Sequence, residues 1–202
     1  QVSDAGMPSI SDPGQELVKA CVEQHINVIP LPGANAGITA LIASGLMPQP
    51  FYFFGFLNRK NSDQLAELEE LNKHTETLIF YEAPHRLNKT LKNMQKVFGE
   101  NRQAVLCREL TKKFEEFDRG SLSELIQWTE DNQVRGEFVV IVDGNDKANE
   151  QADEEDELAG LSIKEQVDYF ISDGMKTNAA IKEVAKLHQV KKQEIYNIYH
   201  EI

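Results

Sequence analysis

The sequence holds little that would tie it to a membrane, a metal or a nucleoside triphosphate. Its 202 residues contain no apolar run long enough to cross a bilayer and no signal peptide, which argues against a membrane-embedded chain. Only two cysteines occur, Cys21 and Cys107, each within an apolar run. They read as buried thiols in a reducing cytoplasm, not as a disulfide or a metal pair. The five histidines, at 25, 74, 85, 188 and 200, are scattered without zinc spacing, so no metal is expected. A GxGxxG fingerprint and a Walker loop are both missing, which removes support for a dinucleotide or a nucleoside triphosphate. Basic residues are scarce as well. The 21 Lys and Arg face 33 Asp and Glu, a net charge of −12, which opposes general attraction to nucleic acid.

What is present is a globular composition, 41% hydrophobic and 27% charged, large enough for more than one core. The negative charge is uneven. Residues 145–158 carry seven acids against Lys147, half of the chain's net charge of −12, with Leu158 as the one large apolar side chain. Such a stretch cannot bury enough surface to offset chain entropy, and it is expected to be an acidic linker. The tail after it, 159–202, has six acids and six lysines.

Two loops stand out. Ser3-Asp4-Ala5-Gly6-Met7-Pro8-Ser9-Ile10-Ser11-Asp12-Pro13-Gly14 holds two Ser-Asp pairs, two Pro and two Gly, the composition of a wide ordered turn that lets a ligand lie close to the main chain. Asp12 is expected to cap the helix that follows, with Pro13 at its first position. The second loop, Pro30-Leu31-Pro32-Gly33-Ala34-Asn35-Ala36-Gly37, leads from a short apolar run into small residues at a helix start, where free N–H groups are accessible. Two such loops in succession, each at a strand's carboxyl end, match the crevice where open α/β sheets bind ligands. Only Gln1-Val2 of a strand before the first loop is present, so the chain reads as an N-terminally truncated molecule.

Periodicity predicts helix 13–25, strand 27–31, helix 34–44 and strand 51–57, a βα alternation that implies a parallel sheet. Ser62 is expected to cap a helix to Asn72. A second α/β unit follows: strand 77–81, helix 86–98, strand 104–108, strand 114–119, a helix opened by the capping box Ser121-Leu122-Ser123-Glu124, and strand 138–142. The domains expected are 1–74, a partial first α/β domain, 75–144, a second one, the linker 145–158, and a helical tail 159–202. In the tail, helices 162–171, 177–188 and 191–202 with a break at Gln189-Val190 fit either a helix-turn-helix or a three-helix packing element.

The loop motifs, with Ile38-Thr39-Ala40-Leu41 and Ala43-Ser44-Gly45-Leu46, resemble the tetrapyrrole methylase superfamily. Tyr81-Glu82-Ala83-Pro84-His85-Arg86-Leu87, Arg108-Glu109-Leu110-Thr111-Lys112 and Gly136-Glu137-Phe138-Val139 extend the resemblance in order over residues 2–144, toward the branch that methylates ribosomal RNA. It implies a two-domain α/β enzyme, functioning as a cytoplasmic homodimer, that binds S-adenosyl-L-methionine between its domains. The implied reaction is 2′-O-methylation of a cytidine ribose in small-subunit ribosomal RNA, free or in the assembled subunit. The family's first strand and its Gly-Pro-Gly-Asp loop are absent from this sequence.

By position in these motifs, the resemblance puts Ser3, Asp4, Ala5, Ser9, Ile10, Asn35, Ala36, Glu82, Leu110, Glu137 and Phe138 around the cofactor. Methyl transfer to a hydroxyl needs in-line alignment and removal of a proton from a weak acid. His85, Glu109 and Lys112 are the candidates for assisting it. Arg86, Arg108, Lys191 and Lys192 are candidates for RNA phosphate, although the polar set from 82 to 115 also fits a salt-bridged rim. Two other functions stay open. A tetrapyrrole C-methyltransferase is disfavoured because it would want Met at position 82 and Gly-Thr-x-x-Gln near 110–115, where this chain has Leu-Thr-Lys-Lys-Phe-Glu. The other is a non-catalytic RNA-binding module on the same scaffold.

Overall fold

The five-residue run Phe138–Val142 is β-branched or aromatic throughout and buried at every position, the signature of a strand covered on both faces. It is the central strand, β5, of a five-stranded sheet in a computed structural model that describes residues 1–3, 5–146, 158, 160–188 and 190–200. The sheet runs in the order β1 (Phe51–Phe56), β2 (Thr77–Glu82), β5, β3 (Gln103–Arg108) and β4 (Glu116–Ser121). β1 pairs parallel with β2, whereas β5 is antiparallel to both β2 and β3, and β3 to β4. The sheet is therefore mixed, not parallel as predicted. The short 109–115 connection joins β3 and β4 as neighbours, and β5 enters between β2 and β3 from the opposite end.

Helices flank it on two faces. α3 (Asn61–Leu71), α4 (Pro84–Phe98) and α5 (Leu122–Asp131) cover one. Leu87, Leu91, Met94 and Phe98, at helical spacing on α4, meet Leu78, Phe80, Leu106 and Val140 in the larger core. α2 (Ala36–Ser44) lies on the other face, with Ala40 and Leu41 against Ile79, Val105, Cys107, Val139 and Ile141. Strand alternation thus sorts the odd residues of β2 to the α2 face and the even ones to the α4 face.

Several expectations change. Strand 51–57, predicted with the first domain, is the edge strand of this sheet. Residues 27–31 form no strand; Ile29 and Leu31 are 74% and 83% exposed, and no strand of the described residues pairs with them, leaving their backbone without a ladder. α1 (Gln15–Glu23) starts two residues later than predicted, with Gly14 at its cap and no side-chain capping bond from Asp12. At α3 the cap is Lys60, and the Ser62 hydroxyl donates to Asp63 instead. Cys107 is buried as expected, but Cys21 is only half-buried.

The chain divides into two compact units, Gln1–Ala148 and Asn149–Ile202. The second packs α6 (Ile163–Ser172), α7 (Thr177–Leu187) and α8 (Lys192–His200) around Val167, Ile181, Val184 and Ile195. The Ser162 capping box opens α6, as Ser121 opens α5. Most of the expected linker, residues 147–157, lies outside the described residues. Its ends are packed: Asn145 is buried, its side chain donating to the Asn72 carbonyl, and Leu158 joins the tail core.

Candidate functional site

The polar motifs converge at one end of the sheet. Glu82 and Arg108, the last residues of β2 and β3, flank Phe138, the first of β5, and Arg108 also faces Glu116 of β4. On the α2 face of that end, Asn35 caps α2 through its Oδ1, which accepts from the Ile38 N–H at 3.0 Å. The Gly37 N–H donates to the Tyr81 hydroxyl at 3.1 Å. A Cβ on Gly37 would meet the Phe53 ring at 3.1 Å, so this helix turn sits directly on an apolar wall of Phe53, Tyr81 and Leu110. Burial pushes the Tyr81 hydroxyl above its ordinary pKa, the Gly37 N–H opposes this, and the Asp12 carboxylate adds to it.

The two N-terminal loops lie against each other beside this wall. Gly6, at φ +69°, would place a Cβ 2.9 Å from the Ala34 carbonyl, and Gly33 would place one 3.2 Å from Met7. Ser9 and Ser11 also have positive φ, 71° and 59°, conformations that cost energy in non-glycine residues and cluster at binding sites. The Ser3 hydroxyl donates to the carbonyls of Ala5 and Gly6. Ser3 and Ala5 thus lie in the turn that meets the loop of Asn35 and Ala36, Ser9 and Ile10 follow in the same loop, Leu110 packs with Phe53 and Tyr81, and Asp4 lies outside the described residues.

Glu82 and Phe138 point the other way. The Glu82 side chain lies on the α4 face, 1% exposed, where it accepts from the Ala83 N–H at 2.7 Å and the Thr90 hydroxyl at 2.6 Å and faces Arg86 Nε at 3.4 Å. Arg86 Nη2 donates to the carbonyls of Leu57 and Asn58. This pair holds the β1–α3 connection to α4. Phe138 packs edge-on against Trp128 in the core, so only the backbones of Glu82 and Phe138 can serve a ligand on the α2 face. Tyr81, one residue away, is the side chain that faces it; the alternation of a buried strand carried that signal.

Arg108 and the 109–112 turn are likewise tied down. Arg108 donates to the Arg135 carbonyl at 2.7 Å and to Glu116 at 3.1 Å. Glu109 Oε1 accepts from the Glu137 N–H at 2.8 Å and from Lys112 at 3.1 Å, and Lys112 also reaches Glu137 at 2.8 Å. The Glu137 N–H and then Lys112 hold the Glu109 carboxyl below the usual carboxylate range, and Glu137 and Glu109 raise Lys112. These residues bind one another, clasping the loop after β3 to the loop before β5.

His85 is different. It stands exposed in the first turn of α4, beside a cavity of about 400 Å³ that also takes in Phe56, Arg59, Arg86 and Lys89. In the second unit, Lys191 and Lys192 are exposed at the start of α8. Among the described residues no group of His, Cys, Asp or Glu side chains is arranged to hold a metal, and no helix is long and apolar enough to cross a membrane.

The family model of tetrapyrrole (corrin/porphyrin) methylases matches residues 2–126. The chain is 52% identical to ribosomal RNA small subunit methyltransferase I of Bacillus subtilis over 200 residues, 98% of this chain and 68% of that protein. With the protein of that name from Streptococcus pyogenes serotype M1 the identity is 52% over 203 residues, covering 69% of the relative. With that of Synechocystis it is 40% over 197 residues. Among solved structures, the methyltransferase CobJ superposes with a TM-score of 0.53 at 18% identity, over 69% of this chain and 62% of that one. The cobalamin biosynthetic enzyme cobalt precorrin-4 methyltransferase CbiF superposes at 0.52 and 16%, over 68% and 61%. The chain therefore spans less than two thirds of either solved structure. The chain belongs to the tetrapyrrole methylase family, in the branch of the ribosomal RNA small subunit methyltransferase I proteins.

Proposed function

We propose that this protein methylates the 2′-oxygen of a cytidine ribose in small-subunit ribosomal RNA, with S-adenosyl-L-methionine as donor. The observation that carries the reading is the identity of up to 52% to relatives named for small-subunit ribosomal RNA methylation, continuous from the loops through the helical tail. The α2-face neighbourhood suits the donor. Gly6 and Gly33 let the two loops close on each other, the start of α2 brings a helix N-terminus beside them, and Phe53, Tyr81 and Leu110 offer an apolar wall for a base. Ser3, Asp4, Ala5, Ser9, Ile10, Asn35 and Ala36 hold the donor, with the backbones of Glu82, Leu110, Glu137 and Phe138. When bound, it supplies an electrophilic methyl group.

The protein's own residues then orient the ribose and take its proton. Glu109 is a poor acceptor, because its carboxylate is already stabilised by the Glu137 N–H and Lys112. His85, exposed and without a hydrogen-bond partner among the described residues, takes that role in this proposal, and Lys112 keeps the 109–112 turn in place. Arg86 and Arg108 shape the RNA-facing rim, and Lys191 and Lys192 add affinity from the tail. An acidic linker and a helical tail after the α/β unit, a homodimer and a cytoplasmic location complete the reading.

The test is transfer of labelled methyl from S-adenosyl-L-methionine to isolated small ribosomal subunits by the full-length protein. Nuclease digestion should return the label as 2′-O-methylcytidine. Labelling of a uroporphyrinogen or precorrin instead, or no cofactor binding at all, would refute the proposal.

A further inference from the structure

In a chain of net charge −12, one cavity collects positive charge and no carboxylate among its lining residues. It opens at the edge of the sheet between the β1–α3 connection and the first turns of α4, about 400 Å³ in volume. Arg59, His85 and Lys89 are exposed around it, and none of the three has a hydrogen bond or ion pair among the described residues. Arg86, inside the lining, is neutralised by the buried Glu82, so the free charge belongs to Arg59 and Lys89. That pair is set on a scaffold of buried polar groups. Gln64 and Thr90 form the inner wall, 3% and 2% exposed, and Arg86 fixes the carbonyls of Leu57 and Asn58 that precede Arg59.

Phe56 connects this cavity to the α2-face neighbourhood. Its ring, 53% exposed, lines the cavity and meets Tyr81 edge-on with centroids 5.6 Å apart. Tyr81 in turn bonds Gly37 at the start of α2. A chain of two aromatic rings therefore separates a cationic pocket from the neighbourhood assigned to the methyl donor. Unpaired cations beside an exposed aromatic face suit a phosphodiester with its attached base or sugar stacked on the ring.

We infer that the pocket bounded by Arg59, Lys89 and Phe56 is the subsite for an RNA phosphodiester next to the nucleotide that is methylated. The inference rests on the methylation reading above and goes beyond it, because Arg59, Lys89 and Phe56 fall in none of the recognised motifs. Arg59 and Lys89 each neutralise a phosphate oxygen, and Phe56 stacks on the neighbouring base.

The test uses the full-length protein and a labelled stem-loop of small-subunit ribosomal RNA, with binding measured across a salt series. Arg59→Ala/Lys89→Ala should weaken RNA binding by about tenfold or more at moderate salt and lower the slope of log K against log[salt] by about 0.7–0.9, the loss of one phosphate contact. S-adenosyl-L-methionine affinity should stay as in the wild type. Arg59→Lys/Lys89→Arg should keep the wild-type slope, and Lys96→Ala, at the far end of α4, should match the wild type throughout. Because both side chains are exposed, their loss should leave urea unfolding unchanged. A double variant with undiminished slope, in a protein that methylates small subunits, overturns this subsite and leaves the methylation reading standing. A wild-type protein that neither binds the RNA nor methylates subunits overturns both.

Discussion

Replacing Arg86 by alanine separates a structural role from a substrate role at a buried ion pair. The Glu82 carboxylate is 1% exposed and the Arg86 side chain 18%, with Oε1 and Nε 3.4 Å apart. In Arg86→Ala the carboxylate keeps the Thr90 hydroxyl and the Ala83 N–H but loses the one cation paired with it among the described residues. Stripping one partner from a buried ion pair costs about 3–5 kcal/mol. Arg86 is not fully enclosed, so water can enter the gap and the low end, about 3 kcal/mol, is expected. For a unit of this size that corresponds to a fall of roughly 6–12 °C in Tm. Trp128, the single tryptophan, packs on Phe138 at a centroid distance of 6.4 Å, so its fluorescence follows unfolding of this unit in urea. The double variant Glu82→Gln/Arg86→Met removes both charges and should recover more than half of the loss. An Arg86→Ala protein that unfolds within about 1 kcal/mol of wild type while losing RNA affinity would refute the reasoning and make Arg86 a substrate contact.

Three further outcomes follow from the geometry. Gly136 sits at φ +88°, where a Cβ would lie 2.5 Å from Glu109 Cγ, so Gly136→Ala should destabilise by about 1–3 kcal/mol and loosen the Glu109 clasp; an unchanged urea midpoint would contradict this. In Lys112→Gln, Glu109 should titrate higher by NMR than in wild type yet stay below an ordinary carboxylate, since the Glu137 N–H, the larger cause, remains. Because Glu109's folded pKa is lowered, the clasp stabilises at neutral pH and is lost as pH falls through that lowered value; a Glu109 titration unmoved by Lys112→Gln would show that the bond is not made in solution. Burial pushes the Cys107 thiol up to about 12, so a thiol reagent at neutral pH should modify Cys21 in the folded protein and reach Cys107 only on unfolding; equal rates would disprove the buried placement.

Local chemistry was readable where one element decides its own ends. The capping boxes at Ser121 and Ser162, the apolar stripe of α4 and the all-apolar β5 needed nothing beyond neighbours a few residues away, because capping and burial periodicity are local. The motifs that place the chain in its family were legible for the same reason: each is a short run around a tight turn. Strand pairing was not local. β1 looked like the last strand of one domain but hydrogen-bonds to β2, and the insertion of β5 between β2 and β3 makes the sheet mixed, a matter of which edges are free when the chain returns. Side-chain direction was decided at the same level. Glu82, Arg108 and Glu109 were expected to face ligand or RNA, but the alternation of a doubly covered sheet sends Glu82 to Arg86, and the meeting of two distant loops ties Arg108 to Arg135 and Glu109 to Glu137. The cationic pocket joins Arg59, in the β1–α3 connection, to Lys89 of α4, thirty positions further on. Spacing in the sequence determined which groups could form turns and caps; only the packing of α3 and α4 on the sheet decided which charges were spent within the protein and which were left free.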